Sequence, residues 1–479
     1  MTDDTPFRSI SRRTALKTAG ALGTASLLPL GAGRASALEL DPVDDTLDLA
    51  SDALQEVLVV FESRADFSLL DSLDLAEGVL EFDVLPVAYT LLTGPQIESL
   101  AAEEGVRYVE ANRELDYHND DAREVTKVAQ VQSDLGYAGE GVHVAVVDSG
   151  VDGDHPDLAA NVANNYRWVG SPLTEPTLWV PVGSLDSDDI GHGTHVSGTV
   201  AGDGSASDGQ YRGMAPEAAL TVYSSGAALS ILKATAAYDH VLANHADEVS
   251  IVSNSYGSAS ADDYNPDGAL QTATWRAFEA DLLPVFSAGN SGPDHDTLND
   301  YAKAPHVLSI AATDDAKAVT DFSSRGRSAD SEANYDRKTA LDNLRAHYAG
   351  EDVSGPVGLY RNGVGAPGNQ VVSTMSPLDV LNATSPDGDL YYAAISGTSM
   401  SCPVVSGTAA LVVDAYREAT GSDPAPIDVL NTLEATAYEA REAYTPASIG
   451  AGFVDALDAV ERAESGSLSG FGDVTLTQP

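Results

Sequence analysis

The chain has 479 residues, 43% of them hydrophobic, with 42 glycines and one cysteine, which suits a large buried core and excludes a disordered or disulfide-stapled protein. Its 25 basic residues face 73 acidic ones, a formal charge of −48, which argues against nucleic acid as a partner because phosphate contacts need basic patches. Repulsion on this scale destabilises a compact state unless counterions screen it, so the charge points to folding in high salt.

The first 37 residues differ in sign from the rest. Ser11-Arg12-Arg13-Thr14-Ala15-Leu16-Lys17 precedes a weakly apolar run, Thr18 to Leu30, and the small-residue triplet Ala35-Ser36-Ala37. That layout is expected of a twin-arginine export signal spanning 1–37. Five basic and two acidic residues give this segment +3, against −51 for the remainder. No later run approaches the ~18 apolar residues of a membrane span.

From 38 to 121 the pattern predicts a small α+β unit of ferredoxin-like type. Leu54 to Phe61 reads as a strand, and Val79 to Leu92 holds one or two more. Pro95 suits the first turn of a helix and Gly105 its end, with Ile97, Leu100 and Ala101 on one face. Val106 to Glu110 follows as a strand, and the acid-rich Leu115 to Glu124 reads as a linker.

Beyond Val125 short β-branched runs alternate with helical ones. Val142–Val147, Ala219–Tyr223, Val249–Ser253, Leu283–Ser287 and Val307–Ala311 read as strands, and Ser197–Gly202, Leu229–Ala246 and Thr272–Ala280 as helices. This rhythm predicts a parallel sheet with helices on both faces, with ligands at the carboxyl ends of its strands. Gly326 to Gly363 breaks the rhythm and reads as an insertion or extended loop.

Three element edges carry chemistry. Asp148-Ser149-Gly150 ends a buried strand, Gly191-His192-Gly193-Thr194-His195 opens a helix, and Gly397-Thr398-Ser399-Met400 precedes a long apolar helical run. Separately, each has a plainer reading: a turn, a metal-binding histidine pair, a helix cap. The helical zinc pair, however, is His at i and i+4 with a glutamate between, which is absent here. Together they supply the carboxylate, imidazole and hydroxyl of nucleophilic acyl transfer, in which the base takes the serine proton and the acid fixes the base.

AVVDSGVDGDHPDL, GHGTHVSGTVAG and SGTSMSCPVVSG resemble the aspartate, histidine and serine motifs of the subtilisin-like serine peptidases. FSAGNSGP, VSNSYG, GAPG and GAGFVDALDAV also have counterparts in that family. The similarity runs from about Val125 to Ala463 and, with the acidic composition, is of the halolysin-like type known from haloarchaea. It implies a three-layer α/β subtilisin-like fold with a mainly parallel central sheet over 122–465, preceded by an inhibitory propeptide over 38–121 and followed by a polar tail, 466–479.

The resemblance makes Ser399 the nucleophile, His192 the base and Asp148 its orienter, and makes His195 structural. Asn290 and the Ser399 backbone N–H would bind the oxyanion. Ser255, Tyr256 and Gly257 would pair with an extended substrate, and Ala288 and Gly289 would shape a pocket wall. Cys402 is expected as a small buried side chain behind the site.

No cofactor is required for this chemistry, although Asp186, Asp188 and Asp189 are candidate ligands of a structural calcium. The implied partners are unfolded or extended polypeptides and the chain's own propeptide, with neither nucleic acid nor membrane. The implied protein is a secreted, monomeric endopeptidase processed between Leu115 and Glu124. An exopeptidase or maturation protease of the same fold is the alternative, ahead of an inactive binding module.

Overall fold

A computed structural model describes residues 42–477 apart from 45, 77, 83–85, 112–120, 171–177, 330–333 and 385–389. The expected export signal and most of the expected linker lie outside the described residues. The chain divides into two compact units, Met1–Leu115 and Asp116–Pro479.

The first unit is a four-stranded sheet of β1 (Gln55–Phe61), β2 (Leu80–Glu81), β3 (Val87–Leu92) and β4 (Val106–Ala111), ordered β2-β3-β1-β4. Its neighbours are all antiparallel. With a 3-10 helix at Arg64–Ser72 and helix α1 (Gly94–Ala101), the elements run βαββαβ. Alternate residues Val57, Val59 and Phe61 of β1 face Ile97 and Leu100 of α1 in one apolar core. Gly105 does not close α1, which ends at Ala101; its positive φ of 112° turns the chain into β4 instead.

The second unit is built on eight strands: β5 (His143–Asp148), β6 (Val162–Trp168), β7 (Trp179–Pro181), β8 (Ala219–Ser224), β9 (Val249–Asn254), β10 (Leu283–Ser287), β11 (Leu308–Thr313) and β12 (Val364–Pro367). Their order is β12-β11-β10-β9-β5-β8-β6-β7. All pairings are parallel except β6 with the edge strand β7. A separate hairpin pairs β13 (Val371–Thr374) with β14 (Tyr392–Ile395).

Strand β5 shows how the layers form. Val144 and Val146 join one apolar cluster with residues of α2 (His192–Ala201) and α6 (Thr398–Thr420), while Ala145 and Val147 join the other with residues of α3 (Ile231–Asn244) and α4 (Ala269–Glu279). Because side chains alternate along a strand, a run apolar at every position is buried on both faces. The predicted strands and helices thus lie within a few residues of the observed ones.

The Gly326–Gly363 segment departs from expectation. It contains a 12-residue helix, α5 (Arg337–Tyr348), capped by Asp336 and burying Ala340, Leu341 and Leu344. Helices α7 (Pro426–Thr436) and α8 (Ala456–Glu464) complete the unit. The tail after Gly466 packs onto it: Ser469 N donates to Thr432 Oγ1 and Thr477 Oγ1 to the Gly450 carbonyl. Among the described residues no helix is long and apolar enough to cross a membrane.

Candidate active site

Strand register assembles the site. Val147 of β5 lies beside Asn254 of β9, so the next residues, Asp148 and Ser255, emerge together at the carboxyl ends of neighbouring strands, about 5 Å apart. The chain crosses from one side of β5 to the other at this point, which is where open α/β sheets form their crevices.

Asp148 is buried, and its Oδ1 takes hydrogen bonds from Ser149 N and His192 Nδ1, both 2.7 Å. A proton on Nδ1 leaves Nε2 as the imidazole's acceptor. His192 is the first residue of α2 and its side chain is 24% exposed. Burial pushes this imidazole's pKa down, but the Asp148 carboxylate pushes it up by more, to above its ordinary 6.5.

Two contacts fix the helix start against the strand end. Gly193 N donates to Ser149 Oγ at 2.9 Å. A Cβ on Gly193 would sit 2.2 Å from the Gly150 carbonyl oxygen, so only glycine allows this approach. Asp188 holds the same turn: its carboxylate accepts from Ile190 N, Gly191 N, Thr194 N and Thr194 Oγ1 at 2.8–3.1 Å. A carboxylate at a helix N-terminus is favoured by the orphan N–H groups there.

Asp189 pairs instead with Arg167, and Asp186 accepts from Asp188 N. The three aspartates thus serve a helix cap, an ion pair and a turn. Among the described residues no group of three or more His, Cys, Asp or Glu is placed to hold a metal ion.

Ser399 stands in the first turn of α6, half-buried, with Oγ donating to the Ser255 carbonyl at 3.0 Å. Ser255 Oγ donates back to the Ser399 carbonyl at 2.9 Å. Pro403 explains that second bond. It is four residues on and has no N–H, so the Ser399 carbonyl loses its helical donor and Ser255 replaces it.

Asn290 follows β10 and is exposed; its Oδ1 accepts from Thr398 N and Thr398 Oγ1, both 2.9 Å. With Oδ1 so held, Nδ2 is the end left for the cleft. The Ser399 N–H is one of the first-turn amides of α6 that have no intrahelical acceptor.

Other expected site residues divide between wall and support. Gly257 is exposed, and a Cβ there would lie 2.1 Å from the Asn299 side chain, whose Nδ2 donates to the Tyr256 and Ser287 carbonyls. Tyr256 turns its hydroxyl inward to Asn254 Oδ1 at 2.8 Å and packs its ring edge-on to Phe286, so this side chain braces the wall. Gly289 N donates to Thr398 Oγ1, whereas Ala288 is fully buried and supports the strand end from behind.

His195 is neutral, burial lowering its pKa to about 3, and its Nε2 bonds the Val371 and Ala393 carbonyls, tying α2 to the β13–β14 hairpin. Cys402 is fully buried against the Asn254 and Val285 carbonyls, and burial raises its thiol to about 11. Thr398, Asp188 and Asn299 were not singled out as positioning residues. Thr398, next to the serine, and Asp188, whose partners lie two to six residues on, carried local signals, whereas Asn299 bonds Ser287 and Tyr256, 12 and 43 residues away.

An Asp–His pair, a helix-start serine and an asparagine amide at the crevice of a parallel α/β sheet define the serine-peptidase class of site. The family assignment rests on a model described as Peptidase_S8, the Subtilase family, which matches residues 139–472. The chain belongs to that family and is a subtilisin-like serine protease. It is 31% identical over 349 residues to Serine protease AprX of Bacillus subtilis, covering 69% of this chain and 70% of the relative. It is 27% identical over 379 residues to a Thermostable alkaline protease of Halalkalibacterium halodurans, covering 78% and 85%. Among solved structures it is similar to Sphericase, with a TM-score of 0.51 and 25% identity, covering 72% of this chain and 99% of that one.

Proposed function

We propose that this protein is a secreted, salt-adapted, halolysin-like serine endopeptidase that cleaves extended polypeptides through an acyl-enzyme and is made as a self-inhibited precursor. The observation that carries the reading is the 2.7 Å bond from His192 Nδ1 to buried Asp148, one strand away from Ser255 and the Ser399 hydroxyl it holds.

In the proposed cycle Ser399 Oγ leaves the Ser255 carbonyl, gives its proton to His192 Nε2 and attacks the scissile carbonyl. Asp148 stabilises the imidazolium, and Asn290 Nδ2 with the Ser399 N–H receives the oxyanion. His192 then protonates the leaving amine, and water repeats the sequence to release the acid.

Extended substrate would lie along Ser255-Tyr256-Gly257 as an added strand, with Gly289 at the adjoining wall. The chemistry uses no cofactor, and the enzyme acts as a monomer. The charge of −48 supports salt adaptation and the twin-arginine pattern supports export. The 38–121 unit would act as inhibitory propeptide, with processing between Leu115 and Glu124. Digestion of oxidised insulin B chain in high salt, with mass mapping of fragments, tests the endopeptidase reading. Internal cuts are expected; sequential trimming from one end would instead make it an exopeptidase.

A further inference from the structure

Of the six lysines in the chain, Lys303 is the one that is buried among the described residues, with 3% of it exposed. Stripping water from an ammonium group is costly unless each of its three N–H groups finds an acceptor. All three do here. Nζ donates to the Ser260 carbonyl at 2.7 Å, to the Asp262 carbonyl at 2.8 Å and to Asp300 Oδ1 at 2.8 Å. Ser260 and Asp262 lie in the loop that follows Gly257, so the buried charge is spent on the wall of the cleft.

These bonds continue a pattern that begins at the cleft itself. The Tyr256 carbonyl accepts from Asn299 Nδ2, the Ser258 carbonyl from Asp300 N at 3.0 Å, and the Ser260 and Asp262 carbonyls from Lys303. Alternate carbonyls of one segment are thus held by one short run, Asn299 and the 3-10 helix Asp300–Lys303. Successive carbonyls of an extended chain point to opposite edges. The backbone groups of Ser255 and Gly257 therefore face the other edge, where the Ser255 carbonyl already meets the Ser399 hydroxyl. Lys303 is itself tied to the Gly326–Gly363 insertion, since Leu359 N donates to its carbonyl at 2.8 Å.

We propose that Lys303 is a positioning residue for substrate binding: its ammonium group acts as an internal cation that fastens the 258–262 loop, keeping Ser255 and Gly257 aligned for an extended peptide. The proposal rests on the peptidase reading given above. Lys303 touches no substrate; Asn299 holds the near end of the wall and Lys303 the far end. Its loss should weaken the pairing of peptide residues before the cleaved bond and leave the triad as it is.

The test compares the full mature protein with Lys303→Met, which keeps an unbranched side chain of similar length but no donor. Two substrates with one leaving group are used in high salt, acetyl-Ala-Ala-Ala-Leu-p-nitroanilide and acetyl-Leu-p-nitroanilide. The tetrapeptide is long enough to pair beyond Ser255, and the single residue is not. For the tetrapeptide KM should rise about tenfold with kcat within about twofold, the pattern of lost uniform binding. For the single residue kcat/KM should stay within about twofold of wild type. A purely structural role would lower the active fraction and reduce both substrates alike.

Equal losses on the two substrates, or no loss on either, overturn the role of Lys303 while leaving the peptidase reading intact. A wild type that hydrolyses neither substrate overturns that reading and this proposal with it. Should Lys303→Met fail to fold, Asp300→Ala removes one of the three acceptors and keeps the ammonium. It should raise KM for the tetrapeptide about threefold and leave the single residue unchanged, and an equal effect on both overturns the proposal.

Discussion

Asn290→Ala probes the proposed oxyanion site through a single hydrogen-bond donor. Thr398 N and Oγ1 hold Asn290 Oδ1 at 2.9 Å each, so the side chain has only Nδ2 to offer the reacting carbonyl. Losing one such donor costs about 10²–10³ in kcat, or roughly 3–4 kcal/mol, a range established for a subtilisin. Because the donor acts on charge that develops only in the transition state, KM should stay within about twofold.

The same geometry grades a second variant. Thr398→Val keeps the backbone bond to Asn290 but removes Oγ1, which also accepts from Gly289 N at 3.1 Å. Losing this positioning contact should cost about tenfold in kcat, corresponding to about 1.4 kcal/mol. Steady-state kinetics on a chromogenic peptide in high salt would measure both. A kcat for Asn290→Ala within about threefold of wild type would refute the assignment, since water or another group would then be carrying the oxyanion.

Asp148→Asn should lower kcat by about 10⁴. The base must be neutral, so wild-type activity should fall as pH drops through a His192 pKa above 6.5. Removing the carboxylate should move that acid limb to lower pH, and an unmoved limb would contradict the pairing. Glu434→Gln should cost about 3–5 kcal/mol in thermal or denaturant unfolding, because it leaves two buried guanidinium groups without their counterion. Burial raises the Glu434 pKa but Arg337 and Arg361 lower it further, to about 2, from an ordinary 4.5. Its stabilisation is therefore present above pH 4.5 and lost as pH falls toward 2, and the variant should lack that component of acid sensitivity. Cys402→Ser should keep kcat within about threefold, and native Cys402 should resist iodoacetamide until the protein unfolds.

The buried strands were legible because burial on both faces leaves an unbroken apolar run such as Val144-Ala145-Val146-Val147. Strand β6 was not, because VANNYRW places Asn164 and Asn165 mid-strand, where Asn165 is satisfied only by the distant Leu185 carbonyl and Ser187. Helix α5 was hidden by its composition: RKTALDNLRAHY buries few apolar residues, and its Asp336 cap lies among other polar residues.

At the site, residue types and their order were readable, but partners were not. The bonds of Asp188 are local, to residues two to six further on, but nothing local to Ser255 shows that it replaces the donor missing at Pro403. The Ser255 role depends on a contact across 144 residues.

The most direct measurement compares wild type with Ser399→Ala, both expressed in high salt, on unfolded casein and by mass spectrometry of each protein's own amino terminus. Wild type is expected to digest casein and to shed the residues before the 115–124 segment. Ser399→Ala should do neither when no other protease is present. If the variant still digests casein, or matures as wild type does, Ser399 is not the nucleophile and the account of this site is wrong.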